Sequence, residues 1–158
     1  MTQAVASLHS LELIHRDIKG ENVLFADAER TTIKIADFGS SHELVAGQTL
    51  THDVATIRGS PYWMSPEHIQ GARCGRKADV WSYACVLLEM LVQQQLRPRR
   101  RAESRHDAIK SALDYARRAH GWLAMEALAD LVWKMVDPNP KTRATLPATA
   151  VLCDEIVD

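Results

Sequence analysis

Four polar side chains near the start of the chain have the types and the spacing that phosphoryl transfer needs. Asp17 and Lys19 share one short stretch with Asn22, and Asp37 follows after fifteen more positions. A free carboxylate can accept a proton, and an ammonium can offset negative charge. Carboxylate and amide oxygens are ligands that Mg²⁺ accepts. These groups together favour the transfer of a phosphoryl group to an acceptor hydroxyl.

A short β-hairpin is the element that would bring these side chains together. Val23–Phe25 and Ile33–Ile35 read as strands, and the residues between them are turn-like. Asn22 precedes the first strand and Asp37 follows the second. Because antiparallel strands place these two ends at the same edge, we expect Asp17, Asn22 and Asp37 to converge on one pocket of the size of a cation.

The remainder of the chain reads as mostly helical, so the predicted fold class is mainly α with a small β-hairpin. Residues 40–66 lack sustained periodicity and predict a long loop. Helical periodicity predicts an entry helix over residues 2–10, a buried central helix over 77–95, amphipathic helices around 108–116 and 124–135, and a last helix from Pro147 to Val157.

Composition limits the class of protein. The chain has 158 residues, 46% of them hydrophobic and 25% charged, with a net charge of −1, which is typical of a globular domain and argues against a general nucleic-acid or membrane-surface binder. Three widely spaced cysteines argue against a disulfide framework and favour a reducing compartment. No stretch predicts a bilayer-spanning helix, so we expect a cytoplasmic protein.

Several motifs, in order along the chain, resemble those of the eukaryotic protein kinase family. Residues 15–22, His-Arg-Asp-Ile-Lys-Gly-Glu-Asn, are similar to the catalytic loop, and Asp37-Phe38-Gly39 is similar to the metal-binding motif. Ser65-Pro66-Glu67 stands where the family often has Ala-Pro-Glu. Residues 59–64 and 75–82 are most similar to the MAP kinase kinase kinase branch.

The resemblance implies a partial kinase domain over residues 1–158 that corresponds to the C-terminal lobe. The catalytic loop would span residues 15–22, the activation segment 37–67 and the helical remainder 77–158. In this lobe Asp17 would be the base for the substrate hydroxyl, and Asn22 and Asp37 would hold the Mg²⁺ of ATP. Lys19 would neutralise the transferring phosphoryl group, and its position together with Ser60 is similar to the serine/threonine type.

The resemblance also implies supporting roles. Arg16 would pair with a phosphate on the following loop, for which the candidate acceptors are Thr49, Thr51 and Thr56. The other supporting residues are His15, Phe38 and Gly39 within the motifs, Ser60 hydrogen-bonded towards the catalytic loop, Asp79 holding that loop's backbone, and the ion pair of Glu67 with Arg143. Taken without the resemblance, Asp79 could equally be an N-terminal helix cap.

The nucleotide clamp of the family has no counterpart in the printed sequence. Only fourteen residues precede His15, and no three of the seven glycines have the i, i+2, i+5 spacing of a Gly-rich loop. The N-terminal lobe is therefore expected to be absent, and this polypeptide alone is not expected to phosphorylate at a useful rate. The open lobe face is expected to expose apolar surface and to favour self-association.

Two functions stay open. One is the catalytic lobe of a serine/threonine protein kinase acting on a protein substrate, for example a downstream kinase in a MAP kinase cascade. The other is a non-catalytic, kinase-like interaction module. Residues 93–101 stand where the family has a Pro-Trp-containing segment. The charged run of Arg97, Arg99, Arg100, Arg101 and Arg105 predicts either a docking patch or a solvated surface.

Overall fold

A 17-residue helix, α3 (Arg76–Val92), forms the centre of the core in the computed structural model, which describes residues 1–45, 47–51, 58–94, 105–120 and 123–146. Side chains on nearly every side of α3, including Trp81 and Leu88, are buried. The predicted central helix is therefore confirmed, with two differences. The helix ends at Val92, because Gln93 adopts a left-handed φ of 52°, and Met90 is exposed.

Two amphipathic helices cover α3, and both confirm the sequence prediction. They are α4 (Arg105–His120) and α5 (Leu123–Met135). Ile109 and Leu113 of α4 and Val132 of α5 are buried in the core that α3 centres. Their apolar stripes therefore face the central helix, as the 3.6-residue period requires. The helix predicted from Pro147 lies outside the described residues.

The first part of the chain confirms the entry helix and the hairpin. Helix α1 spans Thr2–Ser10, and strands β2 (Val23–Phe25) and β3 (Ile33–Ile35) pair antiparallel. Val23 lies opposite Ile35, so the residues just outside this pair, Asn22 and Ala36, share one edge. The Ala36 amide donates to the Asn22 carbonyl at 2.8 Å, which extends the ladder to that edge.

One pair of strands was missing from the prediction. Strand β1 (Leu13–Ile14) pairs with β4 (His42–Glu43), within the segment predicted as a loop. Two-residue strands are too short to show an alternating pattern, which is why periodicity did not find them. The pairing seats Leu44 in a small buried cluster with Ile14 and Ala78. The start of the long loop is thereby attached to the body of the domain.

The short helix α2 (Pro66–Ile69) ends that loop and leads to α3. The predicted fold class is confirmed: helices dominate, and the β structure consists of small two-stranded pairs. None of the helices in the described ranges combines the length and the apolar character needed to cross a bilayer.

Candidate active site

The carboxylate of Asp79 attaches the loop of residues 15–22 to the core. Asp79 is fully buried in the first turn of α3. Its oxygens accept hydrogen bonds from the His15 amide at 2.9 Å, the Arg16 amide at 2.8 Å and His9 Nε2 at 2.9 Å. A buried carboxylate is stable only when it is paired in this way. Asp79 therefore holds the loop's backbone, and it makes no capping bond to its own helix.

His15 ties the same loop to the end of β3. Its Nδ1 accepts the Asp17 amide at 3.3 Å, so the ring proton lies on Nε2, which donates to the Ala36 carbonyl at 3.1 Å. The Phe38 ring meets the imidazole edge-on, with the centroids 5.2 Å apart. His15 and Phe38 thus couple the positions of Asp17 and of the Asp37-Phe38-Gly39 motif.

Arg16 adopts a left-handed backbone conformation with φ of 64°. Its Nε donates to the Ser40 carbonyl at 2.6 Å and its Nη2 to the Ser41 carbonyl at 3.4 Å. Burial lowers the pKa of Arg16, and the positive charge of nearby Arg58 lowers it further. The two arginines form a cationic region beside the activation segment. The pairing of Arg16 with a phosphate remains a prediction.

Asp17, Lys19 and Ser60 form one hydrogen-bonded triangle. Oδ1 of Asp17 accepts the Ser60 amide at 2.7 Å, and Oδ2 accepts Lys19 Nζ at 3.1 Å. Lys19 Nζ also donates to Ser60 Oγ at 2.8 Å. Asp17 is buried except for 8% of its surface. The triangle holds the carboxylate and the ammonium side by side and joins them to the segment that starts at Ser60.

The hairpin edge carries Asn22 and Asp37. Asn22 Nδ2 donates to the Asp17 carbonyl at 2.8 Å. Because a carbonyl oxygen accepts only from the amide nitrogen, the Asn22 side chain points its Nδ2 towards Asp17 and its Oδ1 away from it. Asp37 has a left-handed φ of 64°, and its Oδ1 accepts the Gly39 amide at 3.2 Å. Strain of this kind in a non-glycine residue is typical of functional positions.

The donor set at this edge suits Mg²⁺ that is bound together with phosphates. The Oδ1 of Asn22 and the Oδ2 of Asp37 accept no hydrogen bond from the described residues. Within the same residues, no three His, Cys, Asp or Glu side chains cluster to hold a metal by themselves. Mg²⁺ commonly takes one or two protein oxygens and completes its shell with water and substrate phosphates. Asn22 and Asp37 therefore fit such an ion.

Arg143 and Glu67 form a buried, two-pronged ion pair. Nη1 reaches Oε1 at 2.7 Å and Nη2 reaches Oε2 at 2.8 Å. The Arg143 guanidinium also lies over the Trp81 ring, 5.1 Å from its centroid. Burial alone would raise the pKa of Glu67, but the hydrogen bonds and charge of Arg143 outweigh it and hold that pKa below its usual value. The pair fastens α2 to the C-terminal part of the domain.

The candidate phosphate acceptors differ in surroundings. Thr49 is exposed. Thr51 is 1% exposed, its amide donates to the Cys74 carbonyl at 2.8 Å, and its Oγ1 accepts the Cys74 amide at 3.3 Å. Thr56 lies outside the described residues. In this conformation Thr51 anchors the loop to the body of the domain, and Thr49 presents the accessible hydroxyl.

Two contributors to the site were missed in the sequence. His9 supports Asp79, and its signal was its helical spacing of four from the buried Val5. Gly59 has φ of 112°, and a Cβ there would lie 2.8 Å from the Arg16 carbonyl oxygen. The requirement at Gly59 follows from the close approach of two distant segments; Gly59 begins the motif of residues 59–64, but the motif does not indicate which segment comes close.

The buried thiols carry no nucleophilic chemistry at this site. Both Cys74 and Cys85 are free, and burial raises the pKa of each to about 12. Near neutral pH they stay protonated, and a thiol is a poor nucleophile compared with its thiolate.

Comparison with known proteins gives the class. The protein kinase domain family matches residues 1–157. Mitogen-activated protein kinase kinase kinase 3 of Mus musculus is 44% identical over 92 residues, which cover 58% of this chain and 14% of that protein. Mitogen-activated protein kinase kinase kinase 19 of Mus musculus is 45% identical over 91 residues, covering 56% of this chain and 7% of that protein.

A third relative aligns over more of the chain. The probable serine/threonine-protein kinase mkcF of Dictyostelium discoideum is 32% identical over 147 residues, covering 92% of this chain and 20% of that protein. The chain thus spans a fifth or less of the length of these relatives. A helical domain that carries these motifs in this arrangement is a protein kinase fold. The chain belongs to the protein kinase family, and it is similar to mitogen-activated protein kinase kinase kinases.

Proposed function

We propose that this chain carries the phosphoryl-transfer site of a cytoplasmic serine/threonine protein kinase. The reaction would move the γ-phosphoryl group of Mg·ATP to a Ser or Thr hydroxyl of a protein, and a downstream kinase in a MAP kinase cascade is the substrate we favour. The observation that carries the proposal is the triangle of Asp17, Lys19 and Ser60, with Asn22 hydrogen-bonded to the backbone of Asp17.

Asp17 would act as the base. Each of its oxygens accepts one hydrogen bond and keeps a further lone pair. As the acceptor oxygen bonds to the γ-phosphorus, the bond from that phosphorus to the bridging oxygen of ADP breaks, and ADP leaves with the electron pair. The hydroxyl proton passes to Asp17, and Lys19 offsets the negative charge on the transferring group.

Asn22 and Asp37 would hold the metal. When bound with ATP, Mg²⁺ supplies charge neutralisation at the phosphates. The chain's part is to fix the two ligand oxygens: the Asp17 carbonyl orients the Asn22 amide, and the Gly39 amide orients the Asp37 carboxylate. The relative named as a probable serine/threonine-protein kinase supports the acceptor class. The relative named as a mitogen-activated protein kinase kinase kinase supports a downstream kinase as the substrate.

The test is the substitution Asp17→Asn, which keeps size and removes the base. Transfer of radiolabelled phosphate from ATP to a degenerate Ser/Thr peptide library would be measured for the chain and for any longer product of the same gene. We expect a fall in turnover of roughly 10²–10⁴, the usual contribution of a general base. The control is Glu29→Gln, the same carboxylate-to-amide change at an exposed position, which should leave turnover unchanged.

Unchanged transfer in Asp17→Asn would refute the role of the base. No transfer by the unsubstituted proteins, with no Mg·ATP binding in isothermal titration, would refute the kinase function and leave the interaction module in its place.

A further inference from the structure

The segment of residues 60–65 links the base to the helices behind it. At its start the Ser60 amide donates to Asp17 Oδ1 at 2.7 Å and Ser60 Oγ accepts Lys19 Nζ at 2.8 Å. Any movement of this segment is therefore transmitted to the carboxylate and ammonium of the site. Tyr62 of the segment is more than a third exposed, so part of the segment faces solvent.

Helix α3 holds the middle of this segment through Trp63. Ser82 Oγ donates to the Trp63 carbonyl at 2.6 Å, and Trp63 Nε1 donates to Glu89 Oε2 at 2.9 Å. The Trp63 side chain is itself buried in the core. These contacts fix one residue of the segment from one helix.

Helix α4 holds the next residue through Arg105. Arg105 is the first residue of α4, and its Nη1 donates to the Met64 carbonyl. The side chain is half-buried near Cys85, and desolvation lowers its pKa. Within the described part of the chain, no carboxylate lies within ion-pair distance of this guanidinium. The Met64 carbonyl is thus the polar acceptor that α4 reaches through this arginine.

We propose that Arg105 is a positioning residue: by binding the Met64 carbonyl it ties α4 to segment 60–65 and so holds that segment against Asp17. The proposal rests on the proposed function and deepens it, because the ordered segment would form the wall along which the acceptor peptide lies. The sequence predicted a docking patch or a solvated surface for Arg105 and for the four arginines before it, and those four lie outside the described residues. A tether of this kind affects binding of the peptide more than binding of ATP.

The first test does not require activity. Hydrogen–deuterium exchange would be followed by mass spectrometry on the full chain and on Arg105→Met, which keeps the apolar stem and removes the donors. We expect amides of residues 60–65 to exchange about tenfold faster, with the hairpin and α1 unchanged. Arg105→Lys keeps one donor and the charge, and should give an intermediate rate. Arg118→Met, an exposed arginine on the same helix, is the matched control and should match the original chain.

The second test uses the kinetics of the active protein. For Arg105→Met we expect the KM for an acceptor peptide from the library to rise on the order of tenfold and kcat to fall, because the loosened segment holds neither the peptide nor Asp17 in place. The KM for ATP should stay within about twofold. Arg105→Lys should recover part of the loss.

The outcomes separate the two proposals. Exchange of residues 60–65 at the original rate in both Arg105 variants overturns the tether. Exchange raised equally throughout the chain overturns it too, since the role would then be general stability. Local loosening with an unchanged peptide KM overturns the effect on substrate. If the unsubstituted protein transfers no phosphate, the proposed function fails, and the exchange result alone decides whether Arg105 orders the segment.

Discussion

Residues at this site keep their places through buried charges whose partners lie far away in sequence. Glu67 and Arg143 are 76 positions apart and form a bidentate pair in the core. The Asp79 carboxylate accepts hydrogen bonds from backbone amides of a loop more than sixty positions earlier. Each such charge is stable only while its partners remain. When one partner is removed, the other charge stays buried without the attraction that offset its loss of hydration.

The first prediction at this scale concerns that ion pair. Arg143→Leu should lower the free energy of unfolding by about 3–5 kcal/mol, because it leaves Glu67 buried beside an apolar side chain. Urea unfolding followed by circular dichroism measures the loss. The control is Arg117→Leu, which breaks exposed contacts with Glu126 and Asp130 and should cost less than about 1 kcal/mol. Equal losses in the two variants would contradict the assignment.

The second prediction is a fall in stability with acid, beginning at His68. This side chain is buried in α2, its Nε2 lacks a hydrogen bond within the described residues, and its surroundings include Arg16, Asp79, Glu67 and Asp17. Burial lowers the pKa of His68, and Arg16 lowers it further while the three carboxylates act in the opposite direction.

The lowered pKa of His68 determines how stability changes with pH. As the pH falls through 6.5, the ordinary pKa of His68, the unfolded chain binds a proton that the folded chain does not, so stability drops. Glu67 adds a second loss below 4.5, its own ordinary value, because its folded pKa is lowered. Melting temperatures between pH 7.5 and about 5 should show a slope that His68→Leu removes. His42→Gln should leave that slope in place, and a slope insensitive to His68 would argue against the assignment.

At the scale of elements, residues 37–67 are placed by close backbone approaches. Segment 60–65 meets the loop of residues 15–22 beside Gly59, where a Cβ would lie 2.8 Å from the Arg16 carbonyl oxygen and 3.2 Å from Asp17 Oδ1. The β1–β4 pair and the contact of Thr51 with Cys74 fasten the earlier part. The loop is therefore attached to the domain at several separate points.

The third prediction compares two glycines with positive φ. Gly59→Ala adds both backbone strain and a steric clash, whereas Gly47→Ala adds strain alone, because no atom of the described residues lies within 4 Å of its Cβ position. We expect about 1–3 kcal/mol from the strained backbone at either position. Gly59→Ala should cost more and should also reduce phosphate transfer. Chemical denaturation measures the loss of stability, and the peptide assay measures phosphate transfer. Equal effects of the two substitutions would show that the clash at Gly59 is relieved by movement of the surrounding atoms.

At the scale of the whole molecule, the hairpin and the residues just after it expose apolar side chains. Leu24, Phe25 and Phe38 are each about half exposed there. Neighbouring apolar side chains that are exposed in this way mark a surface that favours association. The expectation that copies of this chain self-associate through this face remains a prediction.

Light scattering after size-exclusion chromatography tests the predicted self-association. Apparent mass should rise with protein concentration, and the double substitution Leu24→Thr with Phe25→Thr should weaken that rise while keeping strand propensity. Met90→Gln, at an exposed apolar position on α3, is the control and should leave the rise unchanged. A monomer at every concentration would contradict the prediction.

The amino-acid sequence by itself determined the helices, the hairpin and the kinase motifs. Because periodicity is a local property, the spacing of apolar residues predicted α1, α3, α4 and α5. The shared edge of Asn22 and Ala36 was predictable because a hairpin joins them directly, and the convergence of Asp17, Asn22 and Asp37 on one cation stays a prediction. These features depend on neighbours along the chain.

Only the tertiary structure decided the contacts that join distant segments. The β1–β4 pairing, the support of Asp79 by His9, the close approach at Gly59 and the bond of Arg105 to Met64 all link residues between 28 and 70 positions apart. Such contacts depend on how the helices pack, and packing is set by the shape and burial of the whole core. No local pattern in the sequence indicates how the helices pack.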